Sequence, residues 1–360
     1  MGVIAIILFV LTGVTRAGPY NEPGINGYIG PDWKHASPGD LNAVLNPIFR
    51  GWATAVKSYQ PAPGVGADWN NPGKALGPAT GDNFDIVSLG DLSQGQINQG
   101  VPPGRITLVF GNPYDSNDPN HIRDVNGFDF VVFENAFLST WTKPEYGIIA
   151  GKMFAELGYV EVSSDGVNFA RFPSVSLTSG PVGAYGTIEI SNIYNLAGKH
   201  PNAGGVCTGT PFDLSEIVDE PNVVSGLVDI NNISYVRIVD IPGSGNFYDN
   251  AVKHIDPNTG NNYVANHPIY DAWLTWDSGG FDLEAIGVLH EQEYSADINL
   301  DGVVDFYDFA VFAYAWRGHF GGANWVMRCD LAEPKDYIIN MLDYAVFANQ
   351  WLKVEQWRSQ

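Results

Sequence analysis

Only two cysteines, Cys207 and Cys329, occur in 360 residues, too few for the disulfide framework that holds small extracellular folds. One bridge between them and two buried thiols are both compatible with the sequence. Positive charge is scarce as well: 18 Lys and Arg stand against 40 Asp and Glu, a net charge of −22. Such a field repels nucleic-acid phosphates and anionic lipid and attracts divalent cations, which excludes nucleic acid as a partner. Charged residues of both signs make up only 16%, beside 41 Gly, 23 Pro and 13% aromatic residues. That balance fits a loop-rich all-β chain better than a helical one.

Long apolar runs are nearly absent. Val3 to Val14 is too short to span a bilayer comfortably, and Thr15, Arg16 and Ala17 follow it, so 1–17 reads as a signal peptide for a secreted or cell-surface protein. No Lys or Arg precedes the run, and a start further upstream or a buried N-terminal strand would each account for that departure. With no second such run and a polar end at Val354 to Gln360, no transmembrane anchor is expected. Release, or retention through a partner, follows.

Motifs for common catalysis are missing too. His121, His200, His254, His267 and His290 show no H-E-x-x-H spacing, and there is no G-x-S-x-G elbow or phosphate-binding glycine loop.

What the chain does contain is a series of short segments with strand character: Ile106 to Phe110, Phe128 to Phe133, Tyr159 to Ser163, Thr187 to Ile190, Tyr235 to Ile241 and Leu283 to Leu289. In Tyr159 to Ser163 the valines share one face and Glu161 is expected on the solvent side. Gly, Pro and Asn turns lie between the segments, with no helical runs of the length that parallel crossovers need, so 18–290 is expected to be an antiparallel β-sandwich.

Ala75-Leu76-Gly77, Val87-Ser88-Leu89-Gly90, Asp129 to Asn135, Glu161 to Gly166 and Gly279 to Ile286 resemble elements of a family of bacterial cell-surface proteins over most of 45–290. Val160 to Phe172 is similar to the strand, Asp-Gly turn and strand of discoidin-like and galactose-binding-like jelly rolls. These resemblances imply a jelly-roll-like sandwich and carbohydrate as a ligand.

The C-terminal part repeats. Asp308 to Trp316 recurs 35 residues later as Asp343 to Trp351. Val311, Phe312 and Ala315, and their counterparts Val346, Phe347 and Gln350, fall at helical spacing, which predicts two short helices packed on each other. Before the first helix stand Asp297, Asn299, Asp301, Gly302, Asp305 and Asp308, the order D-x-N-x-D-G with later acids that an EF-hand-type calcium loop requires. Alternate residues of such a loop aim oxygens at one hard cation, Gly302 permits the sharp turn, and the Val303 carbonyl adds a further ligand.

The twelfth position is Asp308 rather than Glu, and only Glu291 to Ala296 precede the loop, as a linker. Both features resemble type I dockerins, so 297–352 is expected to be a small α-helical, dockerin-like calcium module, followed by a tail at 353–360. A second loop would use Asp330, Asp336, the Ile338 carbonyl, Asn340 and Asp343, with Tyr337 in the glycine's place and two residues inserted around Glu333, Pro334 and Lys335. In dockerins the helix starts contact a cohesin domain, and the matching residues are Phe306, Tyr307, Met341 and Leu342. The resemblance implies a cohesin-like domain or cell-surface scaffold as partner. Filling the core of the helix pair is the alternative role for these four.

Other candidates are less specific. Asp115, Asn117, Asp118, Asp124, Asn126 and Asp129 concentrate oxygen ligands ahead of a strand, a pattern for a structural calcium or a plain Asx-rich turn. Glu134 with Asn135, and Asp282 with Glu284, supply carboxylates that a glycosidase would need. Trp52, Trp69, Trp141, Trp273 and Trp276 could stack sugars or pack in the core. The expected function is a secreted, non-catalytic protein docked through its calcium module. A polysaccharide-degrading enzyme and a structural or adhesive surface protein are the alternatives.

Overall fold

Runs of β-branched and aromatic residues broken by Gly, Pro and Asn suit extended, half-covered backbone, and five of the six expected segments are strands. In the computed structural model, which describes residues 18–112, 118, 120–251, 266–275 and 279–359, these are Arg105–Val109, Phe130–Glu134, Gly158–Ser163, Tyr235–Asp240 and Asp282–Leu289. The expected signal peptide, Asp115, Asn117, His254 and Trp276 lie outside the described residues. The sixth segment, 187–190, makes only an isolated bridge from Ile188 to Met153. There Glu189 turns the chain, its carboxylate accepting from the Ser191 amide to cap a short 3-10 turn.

All strand pairings among the described residues are antiparallel, and most fall into two larger sheets. One has six strands, with Ile25–Asn26, Thr208–Phe212, Phe130–Glu134, Asp282–Leu289 and Phe49–Trp52 side by side and Val87–Ser88 also paired to Asp282–Leu289. The other has five, in the order Ala170–Arg171, Gly158–Ser163, Tyr235–Asp240, Arg105–Val109 and Ala55–Gln60. Side chains from both join one buried cluster: Val132 and Ile286 from the first, Leu108, Val160 and Ile238 from the second. Each such side chain contributes roughly 1.5–3 kcal/mol on burial.

Glu161 departs from expectation. It is buried, because the residues facing it across the ladder are Arg171 and Arg237, and both guanidiniums donate to its carboxylate, Arg171 at 2.7 Å. Their stems roof that face, with Arg171 4.2 Å from the Tyr159 ring centroid and Arg237 3.6 Å from that of Phe169.

Among the described residues only two helices exceed five residues, Phe306–Ala315 and Met341–Gln350, and no helix is long and apolar enough to cross a membrane. Each opens with a capping box, Asp305 with Asp308 and Asn340 with Asp343. Phe312 and Phe347 stack at 5.2 Å between the helices, and Trp325 and Cys329 complete their core. Cys207 and Cys329 are both free and buried, so no bridge joins them.

The two repeats embrace each other with approximate two-fold symmetry. Val304 exchanges backbone hydrogen bonds with Leu352 and Lys353, while 35 residues away Ile339 does so with Arg317 and Gly318. Residues 291–296, expected as a linker, are held from both sides. The Gln292 amide donates to the Asn126 carbonyl at 3.1 Å, and the Glu293 and Tyr294 amides donate to the Glu355 carboxylate at 2.9 and 3.0 Å. Trp357 and Leu300 pack into a cluster with Ile25, Ile48, Phe49 and Phe133, and Arg358 lies over the Trp33 ring at 4.0 Å. The C-terminal repeats therefore sit against the β-rich region.

Candidate functional site

The first acidic loop winds around two buried carboxylates. Asp297, with 0% exposure, accepts from the Asp301 amide on one oxygen at 3.1 Å and from the Gly302 amide on the other at 2.8 Å. Asp308 accepts from the amides of Ile298, Asn299 and Asp305 at 2.8 to 3.0 Å. Asp301 and Asp305 each accept from the amide two residues on, at Val303 and Tyr307. These bonds fix each carboxylate's direction while leaving oxygen lone pairs for a cation. Gly302 has φ +85°, and a Cβ there would stand 2.9 Å from Trp357 and Arg358, so both conformation and space require glycine.

The second loop repeats this pattern but for one bond, since Asp330 Oδ1 has no partner where Asp297 Oδ1 accepts from Asp301. Asp330 accepts from the Tyr337 amide at 3.0 Å, Asp343 accepts from the amides of Leu331, Ala332 and Asn340 at 2.7 to 2.9 Å, and Asp336 and Asn340 accept from those of Ile338 and Leu342. Tyr337 takes the left-handed conformation of Gly302, at φ +61°, a shape that costs a residue with a Cβ roughly 1–2 kcal/mol. The loop differs from the first in its donors. Ala332 occupies the place of Asn299 and offers no side-chain oxygen, while the Lys335 ammonium donates to the Asp330 carbonyl and pairs with Glu333 at 3.1 Å.

Burial, with repulsion from Asp308, pushes the Asp297 carboxyl up to about 8, and burial lifts Asp308 to about 6. Burial likewise lifts Asp330 to about 6 against the pull of Lys335. Carboxyls raised in this way gain most from a divalent cation placed among them. A cation held by the oxygens of such a loop would be a hard one, calcium or magnesium, ahead of softer metals. Around the first loop, Arg358 donates to Asp301 at 2.9 Å and Arg328 donates to the Asp297 carbonyl at 3.0 Å.

The four helix-start residues do not fill the core. Phe306 is 74% and Leu342 63% exposed, and Tyr307 and Met341 are exposed as well. Phe306 rests edge-on against Trp351 at 5.0 Å, beside a shallow apolar recess between the helices lined by Phe309, Tyr344 and Phe347.

Among the described residues, the only trio of His, Cys or acidic side chains whose ligand atoms lie within 4.8 Å of one another is Asp124, Asp129 and Asp213. The sequence pattern contained the first two, whereas Asp213 arrives from a distant segment. Asp118 does not join them. Its carboxylate accepts from the amides of Asn112 and Asn120 at 2.9 and 2.8 Å, because a short loop satisfies its own donors first. Asn126 is likewise outside the trio, its carbonyl holding Gln292. Asp129 accepts from the amides of Val125 and Leu214 at 2.9 and 2.6 Å, and burial raises it to about 8.

The acids considered for glycoside chemistry divide. Glu284 is used up by structure, accepting from Thr80, Gly81 and Asn202. Glu134 and Asp282 are buried, and Glu134 Oε2 and Asp282 Oδ1 have no hydrogen-bond partner. They belong to a larger group with Asp91, Glu156, Asp240 and Asp271, in which burial raises every carboxyl, that of Asp91 to about 7, and a neighbouring acid adds to the rise at Glu134, Glu156, Asp240 and Asp271. Glu156 was invisible in the sequence, since it lies in no motif and reaches the others only through the fold.

The tryptophans scatter. Trp52 packs on Phe49 and Phe133, Trp69 on Phe84, and the Trp273 indole donates to the Leu92 carbonyl; Trp141 is exposed. Neither a family model nor a curated protein matches the chain.

Proposed function

We propose that this is an exported, non-catalytic protein in which a jelly-roll-like β-sandwich, built from the two larger sheets, is docked through a C-terminal dockerin-like module that binds calcium. One observation carries the reading: apart from one amide bond that Asp330 lacks, the two C-terminal loops share a hydrogen-bond scheme around buried first and last carboxylates, Asp297 with Asp308 and Asp330 with Asp343. The first loop would hold the ion through Asp297, Asn299, Asp301, the Val303 carbonyl, Asp305 and Asp308. The second would hold one more weakly through Asp330, Asp336, the Ile338 carbonyl, Asn340 and Asp343. Exposed Phe306, Tyr307, Met341 and Leu342 then form the face for a cohesin-like domain or surface scaffold, since apolar residues clustered at a surface mark contact sites.

The sandwich supplies what is displayed, and carbohydrate is the ligand class that its exposed aromatic and acidic side chains suit. Amide hydrogen exchange of the full chain tests the calcium part. Protection across 306–315 and 341–350 is expected to rise when calcium replaces chelator, and unchanged exchange would count against it. Polysaccharide cleavage would draw on the same buried acids, and reducing-sugar release from a glycan panel separates that reading from simple binding.

A further inference from the structure

Phe137–Leu138 and Met153–Phe154 form a two-stranded ribbon whose facing residues Phe137 and Phe154 stack at 4.9 Å. With Trp141, Tyr146, Ile148 and Tyr185 these rings line an open recess of about 570 Å³. Phe137, Phe154 and Tyr185 also wall a smaller cavity of about 190 Å³, whose remaining lining includes Asn135, Glu156, Thr275 and Asp282. The shared walls make the two one stepped cleft, aromatic outside and rich in oxygen within.

The inner step offers acceptor atoms that lack a hydrogen-bond partner. Asp282 is 3% exposed with Oδ1 unpartnered, and Asn135 Oδ1 is unpartnered too. Glu156 is aimed by its other contacts: Oε1 accepts from the Thr275 hydroxyl at 2.6 Å and the Gly280 amide at 2.9 Å. A ligand here must bring O–H or N–H donors at one end and flat C–H faces along its length. A pyranose has both, hydroxyls around its rim and an apolar face that packs on aromatic rings. We propose that this cleft binds a neutral glycan, one terminal pyranose entering the inner step with its hydroxyls on Asn135, Glu156 and Asp282, and the following sugars lying across Trp141 and Tyr146.

The surroundings favour this occupant over others. An anionic sugar would meet the field of a chain of net charge −22. Burial, then the charge of Asp282, holds the Glu156 carboxyl well above its usual range, and a protonated carboxyl both donates and accepts, as a sugar hydroxyl does. Lys143 lies 5.3 Å from the Trp141 centroid and steadies that ring.

The inference rests on the glycan-binding reading of the β-rich region and is independent of the calcium loops. Its test is calorimetry of the full chain with cellohexaose, xylohexaose, mannohexaose and laminarihexaose, and with trigalacturonate as the anionic probe. At least one neutral oligosaccharide is expected to bind saturably, about tenfold more weakly in Trp141→Ala and in Glu156→Gln. Trp141 and Tyr146 are exposed, so Trp141→Ala and Tyr146→Ala keep the test valid if Glu156→Gln fails to fold. Glycan binding that survives both aromatic variants would overturn this site while leaving the broader reading in place. Silence with all four neutral probes, or preference for trigalacturonate, would overturn both.

Discussion

Replacing Asp297 by Asn removes one charge from the first loop at its most buried ligand while keeping its shape. A calcium–carboxylate contact of about 2.4 Å is worth about 3.5 kcal/mol for a divalent ion even at the dielectric of water. The amide oxygen restores part of that, which leaves a net loss of about 2 kcal/mol, or about 30-fold in affinity. A second effect follows from the loop itself. The two Asp297 oxygens accept from separate amides, Asp301 and Gly302, and Asn has only one oxygen for them. The Asp301 amide keeps Asn299 Oδ1 as an acceptor at 3.1 Å, so the loop gives up one shared bond of about 1 kcal/mol, and relief of the repulsion between Asp297 and Asp308 opposes that loss; the melting temperature in chelator should change little. Calorimetric titration of full-length wild type and Asp297→Asn, with thermal unfolding in parallel, measures both. An affinity change of less than about threefold would refute the ligand role.

Lys335→Ala takes a positive charge away from the second loop, where the ammonium bonds the Asp330 carbonyl. Calcium should bind that loop several-fold more tightly, by about 1 kcal/mol, and calorimetry in an Asp297→Asn background reads it; weaker binding would contradict the assignment. Glu355→Ala strips the acceptor from the Glu293 and Tyr294 amides, so hydrogen exchange across 291–296 should speed up, whereas unchanged exchange would show a linker held by other contacts. The pH dependence has a definite sign. Burial raises Asp91 and Glu216 to about 7, and Glu134, Glu156, Asp240, Asp271 and Asp282 well above their usual range. The folded chain thus keeps protons that the unfolded chain gives up near pH ~4. Stability from these groups is full below that pH and falls as pH rises towards 7 and beyond, by about 1.4 kcal/mol per pH unit for each extra proton held. The melting temperature in chelator should fall from about pH 5 to pH 8; a steady rise would contradict the buried-acid description.

The strands that carry the core were legible because composition and turns agree locally: Tyr235–Asp240 and Asp282–Leu289 are apolar runs with nothing to compete. Thr208–Phe212 was not, since Pro211 within it argues against a strand, yet it pairs on both sides, Pro211 facing Val131. Glu161 misled for the opposite reason: alternation marks a face as polar, but only the fold places two arginines over it. The repeat at offset 35 marked both C-terminal helices and the spacing of their acids. Spacing could not show that Tyr337 would accept a glycine's conformation, nor that Lys335 would turn into its loop. Sites assembled from distant segments left no trace at all. Asp213 meets Asp124 and Asp129, and Glu156 meets Asp282, through tertiary contact alone.

The central claim is that the C-terminal loops bind calcium and that the first binds it better. Calcium titration of the full chain, followed by calorimetry with direct counting of bound ions, tests that most directly. The account predicts a tight site weakened about 30-fold in Asp297→Asn and a second, weaker site reduced in Asp330→Asn. No saturable binding up to millimolar calcium, or tight binding that survives Asp297→Asn, would contradict it.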